Sequence, residues 1–92
     1  MEMWLKKSIE LVENSIENIN QVDYKDMIYL FYDYFSNRNL AQFISYLYNK
    51  DENDLYFEID TVIANRKYNV SEVEKIMLCL KENGFNEWQK SS

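Results

Sequence analysis

Carboxylates are the residues in this sequence whose number and spacing could do chemistry. The chain has 16 Asp and Glu residues, and five of them lie between Asp51 and Asp60, interleaved with Tyr56 and Phe57. Such a group could supply a general acid and base, hold a cation, or bind the basic groups of a partner protein. Each of these roles needs companion residues elsewhere in the chain.

The companions for catalysis and metal binding are missing. There is no histidine, which is the residue most used for proton transfer near neutrality and the commonest nitrogen ligand of zinc. The one glycine, Gly84, cannot build a glycine-rich phosphate loop. Counted as a calcium loop from Asp51, the sixth position is Tyr56 instead of glycine and the twelfth is Val62 instead of glutamate. We therefore expect no enzyme, with no catalytic residue, no metal site and no cofactor.

A second acidic and aromatic group lies in the stretch DYKDMIYLFYDYF, residues 23–35. At about 100° per residue, Tyr29 points outward between Asp26 and Asp33, three positions before it and four after it. This places a tyrosine between two aspartates on the outer face of a helix. The opposite face is expected to be core and carries Tyr24, Met27, Ile28, Phe31 and Phe35.

The charge of the chain favours a protein partner over nucleic acid. The net charge is −6, and the densest positive pair is Lys6-Lys7, whereas a nucleic-acid binder carries a basic footprint. An acidic surface steers association with a basic protein, and tyrosines are common anchors of protein interfaces. The residues expected to bind such a partner are Asp26, Tyr29, Asp33, Asp51, Glu52, Asp54, Tyr56, Phe57, Glu58 and Asp60.

Cysteine usage and hydropathy suggest a cytoplasmic location. The single cysteine, Cys79, cannot form an internal disulfide, which fits a reducing compartment, and its position at the edge of an apolar helix face predicts a small core residue. No apolar run has the length of a signal peptide or approaches the ~20 residues of a membrane span. We expect no membrane contact.

The elements that position these residues are expected to be helices. With no proline and one glycine, the chain lacks the turn residues of an all-β fold. Apolar stripes of helical period predict helices over residues 3–20, 24–35 and 40–49, with a polar connection at 36–39 and a charged loop at 49–54. We predict a single all-α domain spanning 1–92, with four to five short helices around an aromatic-rich core.

Residues 55–64, LYFEIDTVIA, fit two interpretations. As a helix, the segment buries Leu55 and Ile59 and exposes Phe57, and Asp54 could cap it. As a strand, Leu55, Phe57 and Ile59 share one side. The helix is favoured because a lone strand would have nothing to pair with.

The last helix is predicted over 72–83. Ser71 and Glu74 have the spacing of a capping box, and Gly84 suits the left-handed conformation that ends a helix, with Phe85 packing back on the apolar stripe. Trp88 is expected to fold back over the domain.

The acidic, histidine-free and helical character resembles the immunity proteins of bacterial toxin systems, including those of contact-dependent inhibition. A local resemblance to the immunity proteins of colicin-type nucleases rests on Asp54-Leu55-Tyr56-Phe57-Glu58 preceding the helix that starts near Ser71. It covers at most residues 51–85, and the proline and glycine that the family has near its acidic-aromatic segment are missing around residues 54–58.

The resemblance implies a stoichiometric inhibitor that binds and neutralises a cognate basic toxin domain. Two alternatives remain: a small regulatory adaptor of phage or plasmid origin that binds a host protein, or a subunit of a helical assembly with Leu78 at its contact surface.

Overall fold

A computed structural model describes residues 1–91, and over that range every regular element is a helix and no β-strand is present. The predicted fold class is confirmed, as is the helical interpretation of residues 55–64. One further helix follows Gly84, where the sequence predicted only a tail. The helices are α1 Met3–Ser15, α2 Tyr24–Phe31, α3 Asn37–Tyr48, α4 Glu52–Ala64, α5 Val70–Glu82 and α6 Phe85–Ser91, with a 3₁₀ turn at Ile19–Gln21.

The short helix α2 lies at the centre and packs against α3, α4 and α5, while α1 packs against α3, α5 and α6. The helices α3 and α4 form a hairpin, because only residues 49–51 join them. Asn49 makes this tight connection possible by adopting the left-handed conformation at φ 55°. The outer faces of α4 and α5 are exposed to solvent.

Aromatic rings fill the core where these helices meet. Phe31 of α2 is fully buried, and its ring centroid lies 5.0 Å from that of Phe43 and 5.6 Å from that of Trp88. The indole Nε1 of Trp88 donates a hydrogen bond to Ser8 Oγ at 2.9 Å. Trp88 therefore belongs to the core, and α6 completes the fold.

Several helix ends differ from the predicted ones. α1 ends at Ser15 instead of residue 20, and Ile16 already has extended backbone. α3 begins at Asn37, because Ser36 Oγ accepts a hydrogen bond from the Asn39 backbone N–H. The predicted polar connection is thus the first turn of a helix.

The capping box predicted at Ser71 and Glu74 is wrong. Asn69 caps α5, with its Oδ1 accepting from the backbone N–H of Glu72 at 3.1 Å, so Ser71 is already inside the helix. The helix end was predicted correctly: Gly84 has φ 106°, a conformation that strains other residues. The prediction that Cys79 is a core residue is wrong, because its side chain is exposed.

Candidate partner-binding site

The acidic and aromatic residues of segment 51–60 lie on α4 and the residue before it, and most are exposed. Asp51 is the N-cap of α4: its Oδ1 accepts a hydrogen bond from the Asp54 backbone N–H at 3.0 Å. The predicted charged loop is therefore largely the first turn of a helix, and Asp51, not Asp54, caps it. We call the exposed set the α4 surface; it consists of Asp51, Glu52, Asp54, Tyr56, Phe57 and Asp60.

Phe57 is the most exposed aromatic side chain of this surface. Its exposed fraction is 77%, against 39% for Tyr56. The two rings meet edge to face, with centroids 5.5 Å apart. The helix buries Leu55 and Ile59 on its other side, so helical geometry turns Phe57 away from the core. The ring of Phe57 contributes little to the packing of the core, so it is free to contact another molecule.

A positive charge from α3 lies beside these rings. The guanidinium of Arg38 is 5.6 Å from the centroid of the Tyr56 ring, a cation–π distance. Arg38 and Ala41 form one wall of a shallow cleft of about 160 Å³, and Glu52, Tyr56 and Phe57 are on the other. Arg38 was not predicted to belong to the site, because it lies in a segment predicted to be a connection.

Two acids of the segment bind other parts of the fold. Glu58 is half-buried and accepts a hydrogen bond at 2.6 Å from the hydroxyl of Tyr24 on α2. Burial, followed by the neighbouring Glu58 carboxylate, raises the pKa of Tyr24 to about 12. Asp60 accepts a hydrogen bond from Asn37 Nδ2 at 2.9 Å and remains exposed. Glu58 therefore fastens α4 to α2, whereas Asp60 stays available at the rim of the α4 surface.

The predicted outward triplet of Asp26, Tyr29 and Asp33 does not exist as one surface. Asp26 is only 5% exposed, and its Oδ1 accepts the backbone N–H of Asn69 at 2.7 Å. Asp33 is exposed but follows the end of α2 at Phe31. The prediction that Asp26 faces a partner is wrong, because the loop before α5 covers it.

Tyr29 is also engaged within the chain. Its ring stacks on that of Tyr68 at a centroid distance of 3.8 Å and an interplanar angle of 12°. Its outer edge remains accessible, with 37% of the side chain exposed. Burial raises the pKa of Asp26 beneath this region, although the hydrogen bond from Asn69 acts against the rise. Tyr29 and Asp26 thus hold the 65–69 loop against α2.

Among the described residues, no group of three acidic or cysteine side chains is placed to hold a metal ion. Over the same range, no helix has both the length and the apolar character needed to cross a bilayer. The α4 surface places two adjoining aromatic rings beside several exposed carboxylates.

Comparisons with known proteins found no matching family model, no matching curated protein and no matching solved structure.

Proposed function

We propose that this protein is a small immunity or inhibitor protein, which binds a basic toxin domain through the α4 surface and neutralises it. The observation that carries the proposal is the exposure of Phe57 beside Tyr56 on a helix whose free carboxylates surround them. Exposed aromatic rings desolvate well on binding and form the energetic centre of many interfaces. The protein would act stoichiometrically and catalyse nothing.

The charges of this surface support a basic partner. Glu52, Asp54 and Asp60 are exposed, and the whole chain carries a net charge of −6. Acids at the rim of an interface accelerate association with a positively charged partner and repel an acidic one. A nuclease domain, which must itself attract nucleic acid, is the basic toxin that this charge fits best.

The proposal places the protein in the cytoplasm, where a toxin would have to be blocked before release. Cys79 has no cysteine to pair with and its thiol is exposed. An exposed, unpaired thiol is suited to a reducing compartment.

The first test is capture of the partner. The purified protein would be used to pull down proteins from its own source, with identification by mass spectrometry. The proposal expects a basic protein that is toxic when expressed alone and harmless when co-expressed with this chain. Recovery of an acidic or harmless protein would contradict it.

The second test separates the two components of the surface by surface plasmon resonance. Phe57→Ala should accelerate dissociation, with a loss of roughly 2 kcal/mol if the ring is a hot spot. Glu52→Lys combined with Asp54→Lys should instead slow association, and the effect should shrink as salt rises, because exposed charges are screened over about 10 Å at 0.1 M. Asp51 is kept in this variant because it caps α4.

A matched control carries the same change of charge on α5. Glu74→Lys combined with Glu82→Lys alters two exposed acids away from α4, and association should be slowed much less. If the control slows association as much as the α4 variant does, the partner responds to net charge and the α4 surface is not its site.

A second candidate function rests on α5. Leu78 is 63% exposed, and Val70 is exposed two helical turns before it. Residues eight apart lie near one side of a helix, so this apolar side could be a contact between subunits of an assembly. Sedimentation of the isolated protein discriminates the two: the assembly requires a concentration-dependent oligomer that Leu78→Lys dissociates.

A further inference from the structure

A groove of about 300 Å³ lies between the end of α1, the 3₁₀ turn and α3. It shares no lining residue with the α4 surface. Its floor is apolar and its rim is polar, and it is lined by Val12, Glu13, Ile16, Glu17, Ile19, Tyr46 and Leu47.

The groove exists because α1 ends early. Ile16 has extended backbone, with φ −122° and ψ 117°, and the chain then turns through the 3₁₀ segment. Ile16 and Ile19 consequently pack against the edge of the core and stay half-buried, as does Leu47 of α3. Beneath them Val12 is fully buried. The result is a shallow apolar floor that remains open to solvent.

The rim is negatively charged. Glu13 and Glu17 are exposed, and within the part of the chain that the structure describes neither carboxylate has a hydrogen-bond or ion-pair partner. No lysine or arginine lines the groove. Tyr46 is 54% exposed, and over the same described range its ring stacks on no other aromatic ring. The rim thus combines uncompensated charge with a free aromatic face.

We infer that this groove binds a lysine or arginine side chain presented by a protein partner. Long basic side chains carry an apolar stem and a charged head. The stem would lie on Ile16 and Leu47, the head would pair with Glu13 and Glu17, and a guanidinium or ammonium could contact the face of Tyr46. An acidic side chain would be repelled by the two carboxylates, and an aliphatic one would leave both of them poorly solvated.

The groove and the cleft beside the α4 surface use different residues of α3. Ala41 of α3 lines the cleft beside Phe57, whereas Tyr46 and Leu47 of the same helix line the groove. The inference does not depend on the proposed function, because basic side chains could bind in the groove whether or not the α4 surface contacts a toxin.

The experiment is a titration of the ¹⁵N-labelled full chain followed by NMR. The probe is acetyl-Gly-Leu-Arg-Leu-Gly-amide, and three further peptides replace its arginine by lysine, glutamine or glutamate. The arginine and lysine peptides should shift the amide resonances of residues 13–17, 46 and 47. The glutamine peptide should bind about fivefold more weakly, since it loses the charge pairs, and the glutamate peptide should not bind.

Variants decide whether the binding is specific to the groove. Glu13→Gln combined with Glu17→Gln should abolish the preference for arginine over glutamine. The control pair Glu74→Gln with Glu82→Gln makes the same change of net charge on α5 and should leave the preference intact. Phe57→Ala should leave the groove shifts unchanged, which keeps this test separate from that of the α4 surface.

Three results would overturn the inference. One is the absence of shifts in the groove at any peptide concentration reached. Another is equal binding of the arginine and glutamine peptides. The third is an equal loss of binding in the Glu13/Glu17 variant and the α5 control, which would mean that the peptide responds to the total charge alone.

Discussion

The helices α2 and α4 both carry aspartate beside aromatic residues, yet the fold covers one outer face and leaves the other exposed. On α2, Asp26 is buried under the loop before α5, and Tyr29 stacks on Tyr68. On α4, Phe57 is exposed, as are Asp54 and Asp60. One group of residues holds the chain together, and the other is available to a partner.

The difference arises from what covers each helix. The loop at 65–69 crosses α2. The backbone N–H of Asn69 in this loop donates a hydrogen bond to Asp26, and the ring of Tyr68 stacks on that of Tyr29. On the outer face of α4, the side chain of Phe57 is exposed to solvent. A similar acidic and aromatic pattern is therefore covered by the chain itself on α2 and exposed on α4, and only the three-dimensional arrangement distinguishes the two cases.

The largest contrast should come from truncating one phenylalanine on each helix. Phe31→Ala removes a fully buried ring from the aromatic core and should cost about 3–5 kcal/mol of unfolding free energy. Phe57→Ala should change it by no more than about 0.5 kcal/mol, because the ring is mostly in solvent. Urea unfolding followed by circular dichroism measures both, and a large loss in the Phe57 variant would show that α4 depends on this ring for its packing.

A smaller effect should separate the two aspartates of the α2 group. Asp26→Ala removes the buried carboxyl that accepts the hydrogen bond from the Asn69 backbone N–H and should cost about 1–3 kcal/mol. Asp33→Ala, the matched control, removes an exposed carboxylate and should stay within about 0.5 kcal/mol. Thermal unfolding compares them, and equal melting temperatures would mean that Asp26 is not the support of the loop.

The stacked tyrosines should show a coupling of about 0.5–1.5 kcal/mol in a double-mutant cycle. The cycle uses Tyr29→Ala, Tyr68→Ala and the double variant, with the unfolding free energy as readout. A parallel cycle of Tyr29→Ala with Tyr46→Ala, whose ring lies beside the separate groove, should give a coupling near zero. If the losses of unfolding free energy in the Tyr29 and Tyr68 variants simply add, the stack contributes nothing to stability. The ring of Tyr29 would then be as weakly held by the fold as that of Phe57.

The smallest effect concerns pH. Burial raises the pKa of Asp26 in the folded state above its usual value, so the folded protein binds this proton more tightly than the unfolded chain does. The stability that binding of this proton contributes is fully present below the pKa of Asp26 in the unfolded chain. It is lost as pH rises through the pKa of Asp26 in the folded protein. Asp26→Asn keeps an oxygen acceptor for Asn69 and does not titrate.

The measurement is the stability of the parent protein minus that of Asp26→Asn, taken across the acidic range. The difference should fall as pH rises, while titration of the other acids cancels in the subtraction. A difference that rises with pH would show that the charged form of Asp26 is the one the fold favours.

Helical period was sufficient to predict the class of fold and most of the core. Leu5, Ile9 and Val12 are buried as their spacing predicts, and the helical interpretation of 55–64 correctly turns Phe57 outward. These predictions succeed because spacing along one helix determines which residues share a face.

Caps and cross-helix contacts could not be predicted in the same way. Ser71 and Asn69 both suit an N-cap, and the choice between them depends on where α2 holds the loop. Likewise, nothing near Asp26 in the sequence shows that Asn69, 43 positions later, covers it. The position of Arg38 beside Tyr56 and the groove beside Tyr46 could not be predicted, because each depends on residues from different helices meeting at one place.

The hydrogen bond from Trp88 to Ser8 joins residues 80 positions apart. Proteins are synthesised from the N-terminus at about 5–20 residues per second, so α1 is made several seconds before its last partner exists. Until Trp88 has left the ribosome, the core lacks one of its aromatic rings and α1 lacks α6, the last of the helices that pack on it. A chain interrupted shortly before this tryptophan should expose that surface to chaperones and proteases, so the cell should accumulate little of any incomplete product.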